Sequence, residues 1–121
     1  MIKNFSWKKR AKSFTYAFDG LKVLLKEEHN ALIHLGLGSL AVLMGFIFDI
    51  SRYEWIAIFL SIGIVFSAEL MNSAIENLCN YISPANNSVI KKVKDLAAAG
   101  VLVVAIAAFL VGVIIFLPKI F

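Results

Sequence analysis

Four side chains in one stretch are of types that bind cations or move protons: Glu69, Asn72, Glu76 and Asn80. On an α-helix, counting from Glu69, Asn72 falls at about 300°, Glu76 at about 340° and Asn80 at about 20°. All four share a stripe about 80° wide, with Glu69 and Glu76 separated by a rise of about 10.5 Å. The run before them, from Trp55 to Ala68, has no charge, so both carboxylates sit on a helix that begins as an apolar span. Carboxylates withdrawn from water must be offset by charge, or they protonate. A divalent cation would offset them, and Mg2+ prefers a few carboxylates completed by phosphate and water. Lys91, Lys92 and Lys94 follow beyond a loop and suit a nucleotide phosphate. A deeper carboxylate such as Glu69 could take the proton of an attacking alcohol. The stripe by itself leaves three readings open: polar contacts in an oligomer, proton or ion translocation, and a catalytic metal site. Neither glycine-rich nucleotide loop, G-x-G-x-x-G or G-x-x-x-x-G-K-[ST], occurs.

The elements that must position these groups are all helical. Hydrophobic residues make up 60% of the 121 and charged residues only 17%, whereas a soluble domain carries about a quarter charged. A chain this short cannot bury that much apolar surface in one core, so lipid must take the excess. Trp7, Ala11, Phe14, Phe18, Leu21 and Leu25 form a helical stripe opposed by Lys8, Lys12, Asp19, Lys22 and Lys26. This predicts an amphipathic helix over about 7–26, capped by Ser6 and lying in the membrane interface. The first membrane span is expected over about 30–48, where residues 31–48 are uncharged apart from His34. As a helix they rise about 27 Å, enough for a thin bilayer. Asp49 to Glu54 reads as a polar turn. The second span is expected over about 55–80 and a loop over 82–87. Ser88 is placed as the cap of an approach helix, leading into a third span over about 95–118 closed by Pro118 and Lys119. The fold class is therefore an all-α integral membrane protein, a single domain of three transmembrane helices preceded by an interfacial helix.

Charge placement orients this arrangement. The net charge is +4, and the bases cluster before span one and between spans two and three. The positive-inside rule then puts the N-terminus in the cytoplasm and the C-terminus outside. The bases flank apolar runs instead of striping a soluble fold, which argues against nucleic acid and for anionic inner-leaflet lipids or phosphates as partners. The lone Cys79 excludes an internal disulfide and reads as a packing residue. No signal peptide is evident.

The block Glu69-Leu70-Met71-Asn72-Ser73-Ala74-Ile75-Glu76, followed by Lys94-Asp95 before the last span, resembles the prokaryotic diacylglycerol kinase family, which includes the undecaprenol kinases. Glu28-His29-Asn30 ahead of span one extends the likeness over nearly the whole chain. The resemblance implies a homotrimer in the bacterial cytoplasmic membrane, with sites shared between subunits, ATP and Mg2+ as donor and cofactor, and a lipid alcohol as acceptor. It makes Glu69 the catalytic base and Glu28 and Glu76 the metal ligands, with Glu27 the alternative in that register. Asn72, Lys94, Asp95, Asn80 and Arg10 fall to the nucleotide, with Lys94 nearest the phosphates and Asp95 orienting Lys94 or Glu69. Asn72 and Asn30 fall, with Glu69, to the acceptor. The family pattern usually continues to Val-Asp, where this chain has Cys79-Asn80, which puts the affinity for the nucleotide in doubt. The Glu28-His29-Asn30 pattern, Ser83-Pro84 and the Ile-Phe-Leu-Pro ending favour undecaprenol over diacylglycerol. His34, one turn beyond Asn30, is read as a packing or interface residue in preference to one that contacts headgroup or substrate.

Overall fold

The structure is a computed structural model that describes residues 5–83 and 87–121. Among these residues it holds four helices: α1 (Trp7–Glu27), α2 (His29–Ile47), α3 (Arg52–Ile82) and α4 (Ser88–Ile120). The last three are long and apolar enough to cross a membrane. Most of their large hydrophobic side chains, Leu37, Phe59, Leu102 and Phe109 among them, face outward. Outward apolar surface on this scale is stable only against lipid or another apolar partner.

Ser6 caps α1 as expected, its Oγ accepting from the Lys9 amide at 3.3 Å. Within α1 only Leu24 is buried, while Trp7, Phe14 and Phe18 are exposed. From residue 7 to 23 every residue of α1 is exposed, its apolar stripe included. The chain breaks helix at Glu28 alone (φ −113°, ψ 110°) and enters α2 at the next residue. The Glu28 side chain makes no capping bond to α2, which leaves its carboxylate available to other partners.

Between α2 and α3 the expected turn is shorter than the sequence suggested. Helix α3 begins at Arg52, because Ser51 Oγ accepts from the Glu54 amide at 3.2 Å while Glu54 Oε1 accepts from the Ser51 amide at 2.9 Å. This reciprocal capping box satisfies two amides that the first helical turn would otherwise leave open. Before it, Asp49 adopts φ +50° and Ile50 donates back to the Gly45 carbonyl at 3.2 Å. That is a Schellman-type ending to α2. Gly45 is required where it stands: a Cβ there would meet the Trp55 ring at 2.6 Å.

Two further expectations are corrected at α4. Its cap is Asn87, whose Oδ1 accepts from Val89 and Ile90 at 2.9 and 3.3 Å, and Ser88 is already helical. The approach segment and the third span form one helix, which continues through Pro118 to Ile120. Pro118 lies in the last turn, where its fixed φ suits a helix and only one backbone bond is lost. The expected loop at 82–87 includes Pro84, Ala85 and Asn86, which lie outside the described residues.

Helices α3 and α4 pack against each other more extensively than any other pair. Their 31 and 33 residues give lengths of about 46 and 50 Å, against a hydrocarbon layer of about 30 Å. Several turns therefore extend beyond the lipid core. Cross-helix contacts fix which turns meet: Lys119 Nζ to Glu54 Oε2 at 2.8 Å at one end, and Lys94 Nζ to Asn80 Oδ1 at 2.5 Å at the other. A small core of Ile50, Ile58, Ile115 and Phe116 closes the first of these ends. The polar stripe occupies the second.

Candidate active site

Helix α3 positions the site. Its early turns carry apolar side chains into contact with α2 and α4, and the same face continues as Glu69, Asn72, Ser73 and Glu76. Glu69 is almost fully buried, at 1% exposure, and Ser73 is buried beside it. Cys79 is buried too, consistent with a packing role. Among the described residues, Glu69 Oε1 and Asn72 Oδ1 are buried without an aligned hydrogen bond. Such oxygens are rare in folded proteins, because the water they give up is normally replaced by a donor.

The one-residue break at Glu28 brings its carboxylate to Glu76. Burial, the hydrogen bond to Glu76, and the charges of Glu76, Glu69 and Glu27 push Glu28 from the ordinary carboxylate value of 4.5 up to about 7. A cluster of like charges at the end of a membrane helix is costly until a cation joins it. Asn77, which the sequence reading passed over, ties this region together. Its Nδ2 lies 2.8 Å from the Ser73 carbonyl and 3.3 Å from Glu27 Oε1. Glu27 is thereby engaged with Asn77, leaving Glu28 as the carboxylate facing Glu76.

Lys94 and Asp95 part company. Lys94 is held by Asn80, so the departure from the family pattern has a structural consequence. An amide accepts the bond without cancelling the lysine's charge, which a carboxylate would do. Asp95 turns to Lys91 at 2.6 Å in an exposed i,i+4 pair. It contacts neither Lys94 nor Glu69 in any hydrogen bond among the described residues, contrary to the expected orienting role. Asn30 is exposed on the first turn of α2. Arg10 sits near the start of α1, its guanidinium 5.3 Å from the Phe5 ring centre, and about 27 Å of helix separates it from Glu28. Within one chain Arg10 is therefore not part of the carboxylate cluster. His34 is placed differently from a simple interface residue: its Nε2 lies 3.2 Å from Glu69 Oε1.

The donor set suits Mg2+ bound together with a phosphate. Among the described residues, no three His, Cys, Asp or Glu side chains converge into a closed metal cage. Two facing carboxylates that repel each other are what remains, and Mg2+ commonly takes one or two protein carboxylates with phosphate and water completing its shell.

The sequence pattern of the prokaryotic diacylglycerol kinase family matches residues 15–116. The chain belongs to this family. The undecaprenol kinase of Bacillus subtilis (strain 168) is 38% identical over 108 residues, covering 89% of this chain and 88% of that protein. The diacylglycerol kinase of Synechocystis sp. is 29% identical over 107 residues, covering 88% of this chain and 61% of that protein. Family membership makes this lipid kinase a multi-pass membrane enzyme that phosphorylates a lipid alcohol with ATP. Nothing in the sequence singled out Asn77, whose partners come from its own preceding turn and from α1. His34 carried a weak signal, since it lies one turn beyond Asn30 on the helix that Glu28 begins.

Proposed function

We propose that this enzyme transfers the γ-phosphoryl group of ATP to undecaprenol, giving undecaprenyl phosphate and ADP. The observation that carries the chemistry is Glu69, buried to 1% exposure with an oxygen that lacks an aligned donor. The choice of acceptor is supported by the 38% identity to the Bacillus subtilis undecaprenol kinase over most of both chains. Diacylglycerol is the second acceptor to test, given the more distant Synechocystis relative.

In this reading Glu69 takes the proton of the acceptor hydroxyl as the oxygen attacks the γ-phosphorus in line, and ADP departs. Asn72 and Asn30 orient the acceptor. Lys94, carried by Asn80, reaches the phosphates, and Asp95 and Arg10 serve the nucleotide from the same membrane face. Glu28 and Glu76 hold Mg2+, which supplies charge neutralisation at the phosphate oxygens when bound. Their mutual repulsion supports that assignment, because removing it favours the bound state. In this reading residues 1–121 form a single domain and α1 lies flat in the interface, supported by the exposure of its apolar stripe. The bases before α2 and before Leu96 support a bacterial cytoplasmic membrane location with the N-terminus in the cytoplasm and the C-terminus outside. A homotrimer would cover part of the exposed apolar surface.

The test is direct. Purified protein in lipid is incubated with labelled ATP, Mg2+ and either undecaprenol or a diacylglycerol, and the lipid products are separated. Label in undecaprenyl phosphate at a higher kcat/KM than in phosphatidic acid is the expected result. The reverse preference reassigns the acceptor, and no labelled lipid from either alcohol sinks the reading.

A further inference from the structure

The base faces an unexpected neighbour. His34 Nε2 lies 3.2 Å from Glu69 Oε1, with the imidazole 21% exposed and the carboxylate 1% exposed. Yet Oε1 accepts no aligned hydrogen bond. The contact thus leaves Oε1 without an aligned donor from within the described residues.

His34 also lines an apolar groove of about 390 Å³ between α2, α3 and α4. Gly38, Met44, Val65, Phe66 and Phe109 contribute to its walls, and His34 and Ser61 alone among its lining residues carry polar side chains. Ser61 lies about 12 Å along α3 from Glu69, so His34 is the polar group at the end of the groove nearest the base. A hydroxyl carried on an apolar tail can remain in a lipid-like environment along the groove and meets hydrogen-bonding groups where the imidazole stands.

We infer that His34 binds the hydroxyl of the acceptor alcohol and aligns it on Glu69. This deepens the lipid-kinase assignment and rests on it. The hydroxyl donates its proton toward Glu69 Oε1 and accepts from the Nε2–H of a neutral His34. One lone pair of the oxygen is then held by the imidazole, and the other is free to attack phosphorus. As the P–O bond forms, the hydroxyl proton passes to Glu69 and the bond to ADP breaks; His34 keeps its own proton throughout. The imidazole fixes the rotation of the alcohol, and an otherwise unpartnered base oxygen gains its donor from the substrate itself. Orientation of this kind acts on the acceptor and leaves the nucleotide, held at Lys94, largely untouched.

The inference is tested with His34→Phe, which fills a similar space without a polar atom, and His34→Gln, whose amide nitrogen can stand near the place of Nε2. Steady-state kinetics are measured in mixed micelles with MgATP and undecaprenol, with a diacylglycerol as a second arm, and thermal midpoints are recorded for both variants. His34→Phe should lose on the order of 100-fold in kcat/KM for the alcohol. His34→Gln should recover to within about tenfold of wild type, with KM for ATP changed less than about twofold in either variant. His34→Phe within about threefold of wild type overturns the inference. So does an equal loss in both variants that tracks a fall in thermal midpoint, which marks a purely structural role. Wild-type turnover in the same assay reports separately on the lipid-kinase assignment, because the His34 effect is read only as a ratio to it.

Discussion

The two ends of the α3–α4 pair are built on opposite terms. At the Trp55 end, Glu54 receives both the Ser51 amide and Lys119, and the two charges satisfy each other. The indole lies against Phe46 and Phe59, with ring centres 4.9 and 5.4 Å away, and it covers Gly45 with no room for a methyl group. At the Glu69 end, two buried oxygens among the described residues lack aligned donors, and Glu28 is pushed toward neutrality by burial and by its acidic neighbours. Lys94 rests on an uncharged amide. One end is complete within the chain. The other leaves polar groups unmatched among the described residues, and that difference makes it the candidate for the chemistry.

The contrast is broken most severely at Glu69. Replacing it by Gln keeps the size but removes the proton acceptor, and kcat should fall on the order of 1,000-fold or more. The thermal midpoint should hold or rise, because a buried charge is exchanged for a neutral amide. Loss of activity together with loss of fold would instead make Glu69 a structural group, and near-normal turnover would move the base elsewhere. Gly45→Ala is the complementary change at the other end. The new Cβ would meet the Trp55 ring at 2.6 Å and Ile50 at 3.1 Å. The ring also contacts Phe46 and Phe59, so relief requires this end of the helices to repack, at a cost of about 1–3 kcal/mol. Unfolding in detergent should show that loss, while kcat per folded enzyme stays near wild type.

Much of this contrast was legible in the residues. The spacing of Glu69, Asn72, Glu76 and Asn80 announced one polar face, because helical period alone determines it. The order of helices also followed from apolar runs and charge clusters. Local chemistry was harder to read where two signals competed. Ser51 and Glu54 spell a capping box, but the polar content of residues 49–54 suggested a turn, and the helix began earlier than expected. Pro118 suggested an ending, yet in a last turn it costs a single backbone bond. The break at Glu28 had no glycine or proline to mark it. The pairing of Asp95 with Lys91, the support of Lys94 by Asn80 and the approach of His34 to Glu69 depend on the rotation of helices about their axes. One sequence holds no direct record of that rotation.

A gentler perturbation of the Glu69 end comes from pH. The folded chain holds a proton on Glu28 up to about 7, whereas the unfolded carboxylate releases it near 4.5. The native state therefore binds the extra proton between these values, and its stability from this group is full below 4.5 and lost as pH rises through about 7. In the presence of a chelator, the thermal midpoint should decline across that window. Added Mg2+ should restore more at pH 7.5 than at pH 5.5, since at the lower pH the cation must first displace the proton. Glu76→Gln removes the charge that faces Glu28, so both the decline and the Mg2+ response should flatten. A pH response unchanged in that variant would separate Glu28 from Glu76 and weaken the case for a shared metal.

The smallest expected effect belongs to Asp49, where the Trp55 end departs from its otherwise relaxed construction. Asp49 stands at φ +50°, immediately after the last turn of α2 and just before the capping box of α3. A side chain in the left-handed region carries a steric cost that glycine avoids, and aspartate tolerates it better than most. Glycine also gains freedom in the unfolded chain, which offsets part of the benefit. Asp49→Gly should therefore stabilise the fold by roughly 0.5–1 kcal/mol, seen as a small rise in the unfolding midpoint. Turnover should stay unchanged, because Asp49 lies about 30 Å along α3 from the carboxylates. A large gain in stability would mean that the α2–α3 connection is strained after all. A change in kcat would couple the two ends through α3, and the division between a finished end and a reactive one would have to be redrawn as a single unit that moves together.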